Sequence, residues 1–257
     1  MSDPGIHDLR ERYLDLVRDS LVGLVHEDPS LEERVAGGER PFDRARREEG
    51  RDWPSRALSM IGARRMLQLQ RAAEFVIERG IPGDFVETGV WRGGACILMR
   101  AVLAARGVTD RRVWVADSFR GLPPPDPARY PKDAGNMLHV FGQLSVSADD
   151  VRANFARYGL LDDQVRFLEG WFRDTLPAAP IERLAVLRLD GDLYESTMDA
   201  LEALYDRVSP GGIVIVDDYG VLESCRAAVT DFRRRRGITE TIYQVDESGV
   251  HWQRRAA

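Results

Sequence analysis

The run Ala185-Val186-Leu187-Arg188-Leu189-Asp190 ends in a carboxylate, and Gly211-Gly212-Ile213-Val214-Ile215-Val216-Asp217-Asp218 ends in two more. Each run is short, apolar and rich in branched residues, the composition of a strand buried on both faces of a parallel sheet. Between them, residues 196–205 read as an amphipathic helix, with Leu201, Leu204 and Val208 on one face. Strand, helix and strand make a right-handed crossover, which brings both strand ends to the same edge of the sheet. Open α/β sheets bind ligands at that carboxyl edge. Carboxylates gathered there repel by roughly 4 kcal/mol per close pair at an effective dielectric near 20. A hard divalent cation, or protons, would relieve the repulsion.

The same alternation extends in both directions. Residues 85–90 predict a first strand and 95–105 its helix. Residues 113–117 predict a second strand, 148–158 a helix and 165–169 a third strand. Between 120 and 146 lies a long irregular stretch with prolines at 123–125, 127 and 131, a length that is more often functional than accidental. A helix over 223–235 precedes two strands, 239–245 and 249–254, joined by a turn at 246–249, so the last strand runs antiparallel to its neighbour. The expectation is an α/β, Rossmann-like sheet of seven strands, mostly parallel, with a reversed terminal strand.

Upstream, residues 9–25 carry Leu14, Val17, Leu21 and Leu24 at helical spacing. From 27 to 52 the chain turns strongly charged, with Pro29, Gly37, Gly38 and Pro41 as breakers. That stretch is expected to bury little and to be flexible or ordered by a partner. A second helix is expected over 55–79. The division that follows is an N-terminal helix with a charged lid or oligomer segment, 1–55, and a main domain, 56–257.

The 257 residues are 44% hydrophobic and 30% charged, ordinary for a globular protein. A net charge of −6 argues against nucleic acid or an anionic membrane as partner. The basic run Arg233 to Arg236 reads as a solvated helix end. Cys96 and Cys225 fit no metal spacing and read as reduced residues. No early apolar stretch resembles a signal peptide and no run approaches the ~20 residues of a membrane span, so a cytoplasmic protein is expected.

Glu87-Thr88-Gly89-Val90-Trp91-Arg92-Gly93-Gly94 follows the first strand and opens a helix. Glycines there permit a tight turn and close approach to a ligand. The pattern is not G-x-G-x-x-G, and an acid at Glu87 disfavours a diphosphate while suiting a cationic ligand such as a sulfonium bearing an amino group. Asp117, at the end of the second strand, is placed to bond vicinal ribose hydroxyls. Gly170 and Trp171 follow the third strand, where an adenine ring could stack; Trp171 could equally pack against the neighbouring helix.

Ser59-Met60-Ile61-Gly62, the Glu87–Gly94 turn, Asp117-Ser118-Phe119-Arg120-Gly121-Leu122-Pro123, Leu189-Asp190-Gly191-Asp192-Leu193-Tyr194-Glu195-Ser196-Thr197 and Ser209-Pro210-Gly211-Gly212 through Asp217-Asp218-Tyr219 together resemble the macrocin O-methyltransferase family. The resemblance covers roughly residues 50–255. It implies a class I methyltransferase fold that uses S-adenosylmethionine and Mg2+ to methylate sugar hydroxyls of antibiotics. It further implies that Asp190, Asp217 and Asp218 bind the metal and that Asp190 doubles as the catalytic proton acceptor. The cofactor set is then Met60, Glu87, Gly89, Arg92, Asp117, Ser118, Gly170 and Trp171. The expected partners are a small-molecule glycoside and further copies of the chain, since the stripe over 14–24 wants a covering surface.

The chemistry of such a reaction agrees with these residues. A sugar hydroxyl is a poor nucleophile at neutral pH, and a divalent cation favours its alkoxide. A carboxylate then only has to take the proton, with His139 and Tyr194 as substitutes for that role. Rival readings are a catechol-type O-methyltransferase acting on a phenolic vicinal diol, an NAD-dependent oxidoreductase, and a non-catalytic partner protein.

Overall fold

A computed structural model describes residues 4–31 and 38–255. It opens with helix α1 (Pro4–Leu21), a short antiparallel pair β1 (Ser30–Leu31) and β2 (Glu39–Arg40), and helices α2 (Arg44–Glu48) and α3 (Gly62–Glu78). The alternating core follows: β3 (Asp84–Thr88), α4 (Gly94–Ala105), β4 (Val113–Asp117), α5 (Ala148–Arg157), β5 (Val165–Glu169) and the single turn α6 (Phe172–Thr175). It continues through β6 (Leu184–Leu189), α7 (Tyr194–Leu204), β7 (Val208–Val216), α8 (Glu223–Arg236) and the hairpin β8 (Tyr243–Gln244) and β9 (Val250–Gln253).

The seven strands of the main sheet lie in the order β5-β4-β3-β6-β7-β9-β8. The first five are mutually parallel, and β9 runs antiparallel to both β7 and β8. This is the expected mostly parallel sheet with a reversed terminal strand. The chain winds outward from β3 to β5, then returns to lay β6 on the other side of β3. The crevice for a ligand opens where that order reverses.

Alternation along the strands sorts side chains between two cores. Phe85, Val113, Val115, Val186, Ile213 and Ile215 face α1, α3, α4 and α5. Val86, Trp114, Leu187, Leu189, Val214 and Val216 face α7 and α8. Glu87, Arg188 and Asp217 alternate onto the first of these faces, among apolar neighbours.

The structure departs from the sequence expectations upstream. The stripe Leu14, Val17, Leu21 and Leu24 is buried within the chain, in the same core as α3 and α4. It therefore wants no partner surface. The helix expected from residue 55 starts at Gly62, whose φ of +78° is left-handed. A Cβ there would lie 2.3 Å from the Gly50 nitrogen, so glycine both starts the helix and admits the upstream chain. The charged stretch 27–52 is mostly exposed or half-buried where it is described, but it buries Asp28, Ser30, Arg47 and Asp52. Arg47 is 0% exposed; its guanidinium donates to Asp52 (2.9 and 3.0 Å), to the Val22 carbonyl (2.9 Å) and to the Asp28 carbonyl (2.7 Å). Asp28 in turn accepts the amides of Arg56 and Ala57. Charge in a sequence favours solvation, but a fully paired charge can be buried. The strand expected over 239–245 shrinks to Tyr243–Gln244.

Candidate active site

Loops leaving the carboxyl ends of β3 to β7, together with the N-terminal segment and the β8–β9 turn, enclose one cavity of about 420 Å3. Gly89 lines it directly after β3. With φ at +87°, a Cβ on Gly89 would lie 1.9 Å from the Asp190 carbonyl oxygen, so only glycine lets the turn after β3 sit against the end of β6. Asp117 and Ser118 follow β4, Gly170 and Trp171 follow β5, and Met60 precedes α3; all line the cavity. Asp117 accepts the Val90 amide on one oxygen and the Phe119 amide on the other, both at 2.7 Å, and is pushed up by burial against those bonds. The Oδ1 that takes the Phe119 amide also accepts the Ser118 hydroxyl (3.4 Å).

Two members of the expected cofactor set are placed differently. Glu87 does not line the cavity. Its carboxylate lies in the core beneath the glycine turn, bonded to Arg188 and accepting from the Cys96 thiol (2.9 Å), and burial raises it to about 7 despite Arg188. Strand alternation turns it away from the ligand edge. Arg92 also stays outside the cavity. It donates to the carbonyls of Pro54 (3.2 Å) and Ala57 (2.8 Å) and stacks on Trp91, so it fastens the N-terminal segment instead.

Asp190, Asp217 and Asp218 do come together: one oxygen from each lies within 4.8 Å of the others. Asp190 and Asp218 line the cavity. Asp217 lies behind them, held by Arg65 of α3 and by Arg188. Arg188, 1% exposed, also donates to Asp190 (2.8 Å), so one guanidinium spans carboxylates from β3, β6 and β7. Arg65 adds an ion pair to Asp246 at 3.1 Å. Asp218 is the uncompensated member of the cluster. Its buried Oδ2 has no partner, and burial followed by Asp192, Asp190 and Asp217 pushes it well above the carboxylate range. Burial and then Asp217 raise Asp190 as well, against Arg188.

Three residues outside the expected set also belong to the site. Asp192 lines the cavity, and burial with Asp190, Asp217 and Asp117 drives it well up. Its φ of +61° is a left-handed conformation that costs a non-glycine residue about 1–2 kcal/mol. Arg188 had a signal, being a charge inside an apolar strand run, which demands a buried counterion. Arg65 had none, because its partners lie 152 residues and more away. The two substitute bases point elsewhere. Tyr194 donates to Asp231 (3.2 Å), and His139 is not on the cavity wall.

The rest of the wall is largely apolar and aromatic. Trp53 comes from the N-terminal segment, Leu122, Leu138 and Leu144 from the long segment after β4, Phe172 from α6, and Val221 and Leu222 from the segment after β7. Glu195 and Asp199, successive turns of α7, add a polar strip; burial and then Glu195 raise Asp199 to about 6. Among the described residues, no helix is long and apolar enough to cross a membrane.

A glycine turn, a strand-end carboxylate and an aspartate cluster on one cavity suit methyl transfer to a hydroxyl, and comparison with known proteins agrees. The family model for macrocin-O-methyltransferase matches residues 10–254. A Streptomyces olivaceus 8-demethyl-8-(2,3-dimethoxy-alpha-L-rhamnosyl)-tetracenomycin-C 4'-O-methyltransferase is 55% identical over 251 residues, covering 97% of this chain and 95% of that protein. A Streptomyces niveus demethyldecarbamoylnovobiocin O-methyltransferase is 52% identical over 243 residues, 94% of this chain and 93% of that one. The solved O-methyltransferase NovP superposes with a TM-score of 0.92 at 51% identity, covering 96% of this chain and all of that one. The chain therefore belongs to the macrocin O-methyltransferase family and is an O-methyltransferase, whose class I fold implies S-adenosylmethionine as methyl donor.

Proposed function

We propose that the protein methylates a hydroxyl of a deoxysugar carried by an antibiotic-type natural product, with a divalent cation, Mg2+, held by Asp190, Asp217 and Asp218. The observation that carries the metal is the carboxylate trio itself. Among the described residues, the four acids Asp190, Asp192, Asp217 and Asp218 face only Arg65 and Arg188, and one buried Asp218 oxygen is orphaned. An all-oxygen donor set with surplus negative charge fits a hard cation. The glycoside is supported by the relatives, one named for a rhamnosyl tetracenomycin and one for demethyldecarbamoylnovobiocin.

When bound, the cation would supply Lewis acidity to the acceptor hydroxyl and the sulfonium its electrophilic methyl group. The chain's own residues do the rest. Gly89 lets the turn after β3 close against the Asp190 backbone on the donor's side of the cavity, and Asp117 accepts the ribose hydroxyls. Met60, Ser118, Gly170 and Trp171 complete that half, while Glu87 and Arg92 support it from behind. Asp190 takes the proton released by the acceptor hydroxyl, and Asp192, two residues on, faces the same space. Trp53, Leu138 and Leu144 keep bulk water away from the transfer.

The N-terminal unit 1–55 is proposed as a cap on the acceptor side, supported by Glu49, Gly50, Arg51 and Trp53 on the cavity wall. Assembly of several copies is proposed from the family resemblance alone, and a monomeric mass at micromolar concentration would remove it. A cytoplasmic location is proposed from the two free, buried cysteines, which suit a reducing compartment.

Calorimetry with S-adenosylhomocysteine, against NAD, tests the cofactor half without knowledge of the acceptor. A panel of deoxysugar glycosides against catechols, with Mg2+ or with chelator, tests the rest. Turnover of catechols alone would overturn the sugar assignment.

A further inference from the structure

Helix α7 begins beside the Asp190-Gly191-Asp192 turn, and its own N-cap is unfit for the task. Leu193 occupies that position and offers no side-chain acceptor to the first amides of the helix. The missing cap comes from 61 residues away. Asp133, in the short 3-10 turn Pro131–Asp133, accepts the Tyr194 amide on one oxygen (2.6 Å) and the Glu195 amide on the other (3.0 Å). It is 1% exposed, although its neighbours Lys132 and Ala134 are exposed. A single side chain is thus drawn in from a surface segment to meet a helix N-terminus, where both the free N–H groups and the helix dipole favour a carboxylate.

That contact joins two parts of the cavity. The segment holding Asp133 also supplies Gly121, Leu122, Pro123, Leu138 and Leu144 to the wall. It is pinned near its other end by Trp91 donating to the Gln143 carbonyl (2.8 Å) and by the edge-on contact of Phe141 with Trp53. On the far side of the contact, the strained Asp192 is held by the Leu193 amide turning back to Gly191 (2.6 Å) and by Ser224 donating to the Asp192 carbonyl (3.1 Å). Fraying the first turn of α7 would release both.

We infer that Asp133 is a positioning residue: its bidentate cap on α7 fixes the Asp190–Asp192 turn and latches the wall segment that carries Leu138 and Leu144 in the same bond pair. The inference rests on the proposed reaction for its catalytic consequence, but the latch itself can be measured without an acceptor. Asp133→Ala and Asp133→Asn are compared with wild type in the full chain. Asn keeps one carbonyl acceptor and should fall between the other two.

Trypsin cleavage after Arg129 in the absence of ligand reads the latch. The expected rates rise at least tenfold in Asp133→Ala and less in Asp133→Asn, while S-adenosylhomocysteine affinity by calorimetry stays within twofold of wild type. With a rhamnoside acceptor, kcat should fall about 100-fold in Asp133→Ala, as for a misplacement of about 1 Å, with the KM for S-adenosylmethionine unchanged. A wild-type protein that binds S-adenosylhomocysteine but leaves every glycoside untouched would sink the proposed substrate and leave the trypsin result to decide the latch. Equal cleavage of wild type and Asp133→Ala would overturn the inference. So would faster cleavage with an unchanged kcat, because the wall would then move without the carboxylates. Should Asp133→Ala not fold, the Asn variant and hydrogen exchange on wild type decide. Slow exchange at the Tyr194 and Glu195 amides is expected, and exchange there at solvent-exposed rates overturns the cap.

Discussion

Arg188 donates to Asp217 across two adjacent parallel strands, and both side chains are almost wholly withdrawn from solvent. The same guanidinium holds Glu87 and Asp190, so one cation compensates acids from three strands. Removing it strands buried charge. Arg188→Met should cost about 3–5 kcal/mol in urea denaturation, and Arg188→Lys less, because lysine keeps the charge and loses the fork. A Met variant as stable as wild type would show that these carboxylates need no internal counterion.

Asp190→Asn should lower turnover by about 100-fold or more, the usual worth of a general base, while S-adenosylhomocysteine still binds. Asp218→Asn should weaken Mg2+ binding by calorimetry, since it removes the negative charge of a carboxylate whose buried Oδ2 has no protein partner. Chelation should abolish turnover and Mg2+ restore it. Asp192→Asn separates the two acids: a loss as deep as that of Asp190→Asn, with Mg2+ affinity retained, would move the proton-accepting role to Asp192.

Stability should fall with rising pH in the metal-free protein. Burial raises Asp190, Asp192 and Asp218 and brings Glu87 from near 4.5 to about 7. Each binds its proton more tightly folded than unfolded. Their contribution is therefore complete below the unfolded carboxyl range and is lost as pH climbs through the folded values. For Glu87 alone this is on the order of 3 kcal/mol between the limits. The urea midpoint in chelator should drop from pH 5 to pH 7.5, Glu87→Gln should remove the part nearest neutrality, and Mg2+ should flatten the rest. A midpoint that rises over this range would contradict the burial of these acids.

The relocation of Glu87 makes a contrast with Asp117. Asp117→Ala should weaken S-adenosylhomocysteine binding by tenfold or more, because it loses both the diol acceptor and the two amides that shape the Gly89 turn. Glu87→Gln should leave that affinity within about threefold, as one buried hydrogen bond is exchanged for another. Equal losses would return Glu87 to the cofactor site.

A chain beginning at residue 56 should not fold stably. It would uncover the core that Leu14, Val17 and Leu21 share with α4, and cut the bonds from the Leu58 and Ser59 amides to the Leu21 carbonyl. Circular dichroism and a thermal scan of that truncation check this. A cooperative transition near the wild-type temperature would make residues 1–55 a separable cap.

The chain order carries most of the fold. Branched runs of five to nine residues ending in acids, each followed by a helix-period stretch, leave few topologies once crossovers must be right-handed. That reasoning reached the sheet, its reversed last strand and the meeting of Asp190, Asp217 and Asp218, because each acid sits at a strand terminus whose position follows from connectivity. Gly89, Asp117, Ser118, Gly170 and Trp171 reached the cavity for the same reason, whereas Met60, before α3, came from the family resemblance alone.

Only the tertiary structure decided where the arginines went and which acids they neutralised. Arg47 reads as one more charge in a charged stretch, yet it is the best buried of them because Asp52 and two carbonyls converge on it. Arg65 meets Asp217 and Asp246, and Asp133 meets the start of α7, across sequence distances that no local pattern encodes. Side-chain periodicity says which face a residue takes; it does not say what stands opposite. A long arginine or a loop aspartate is worth burying only when its partner is fixed by packing elsewhere, so its role exists only once the chain has folded.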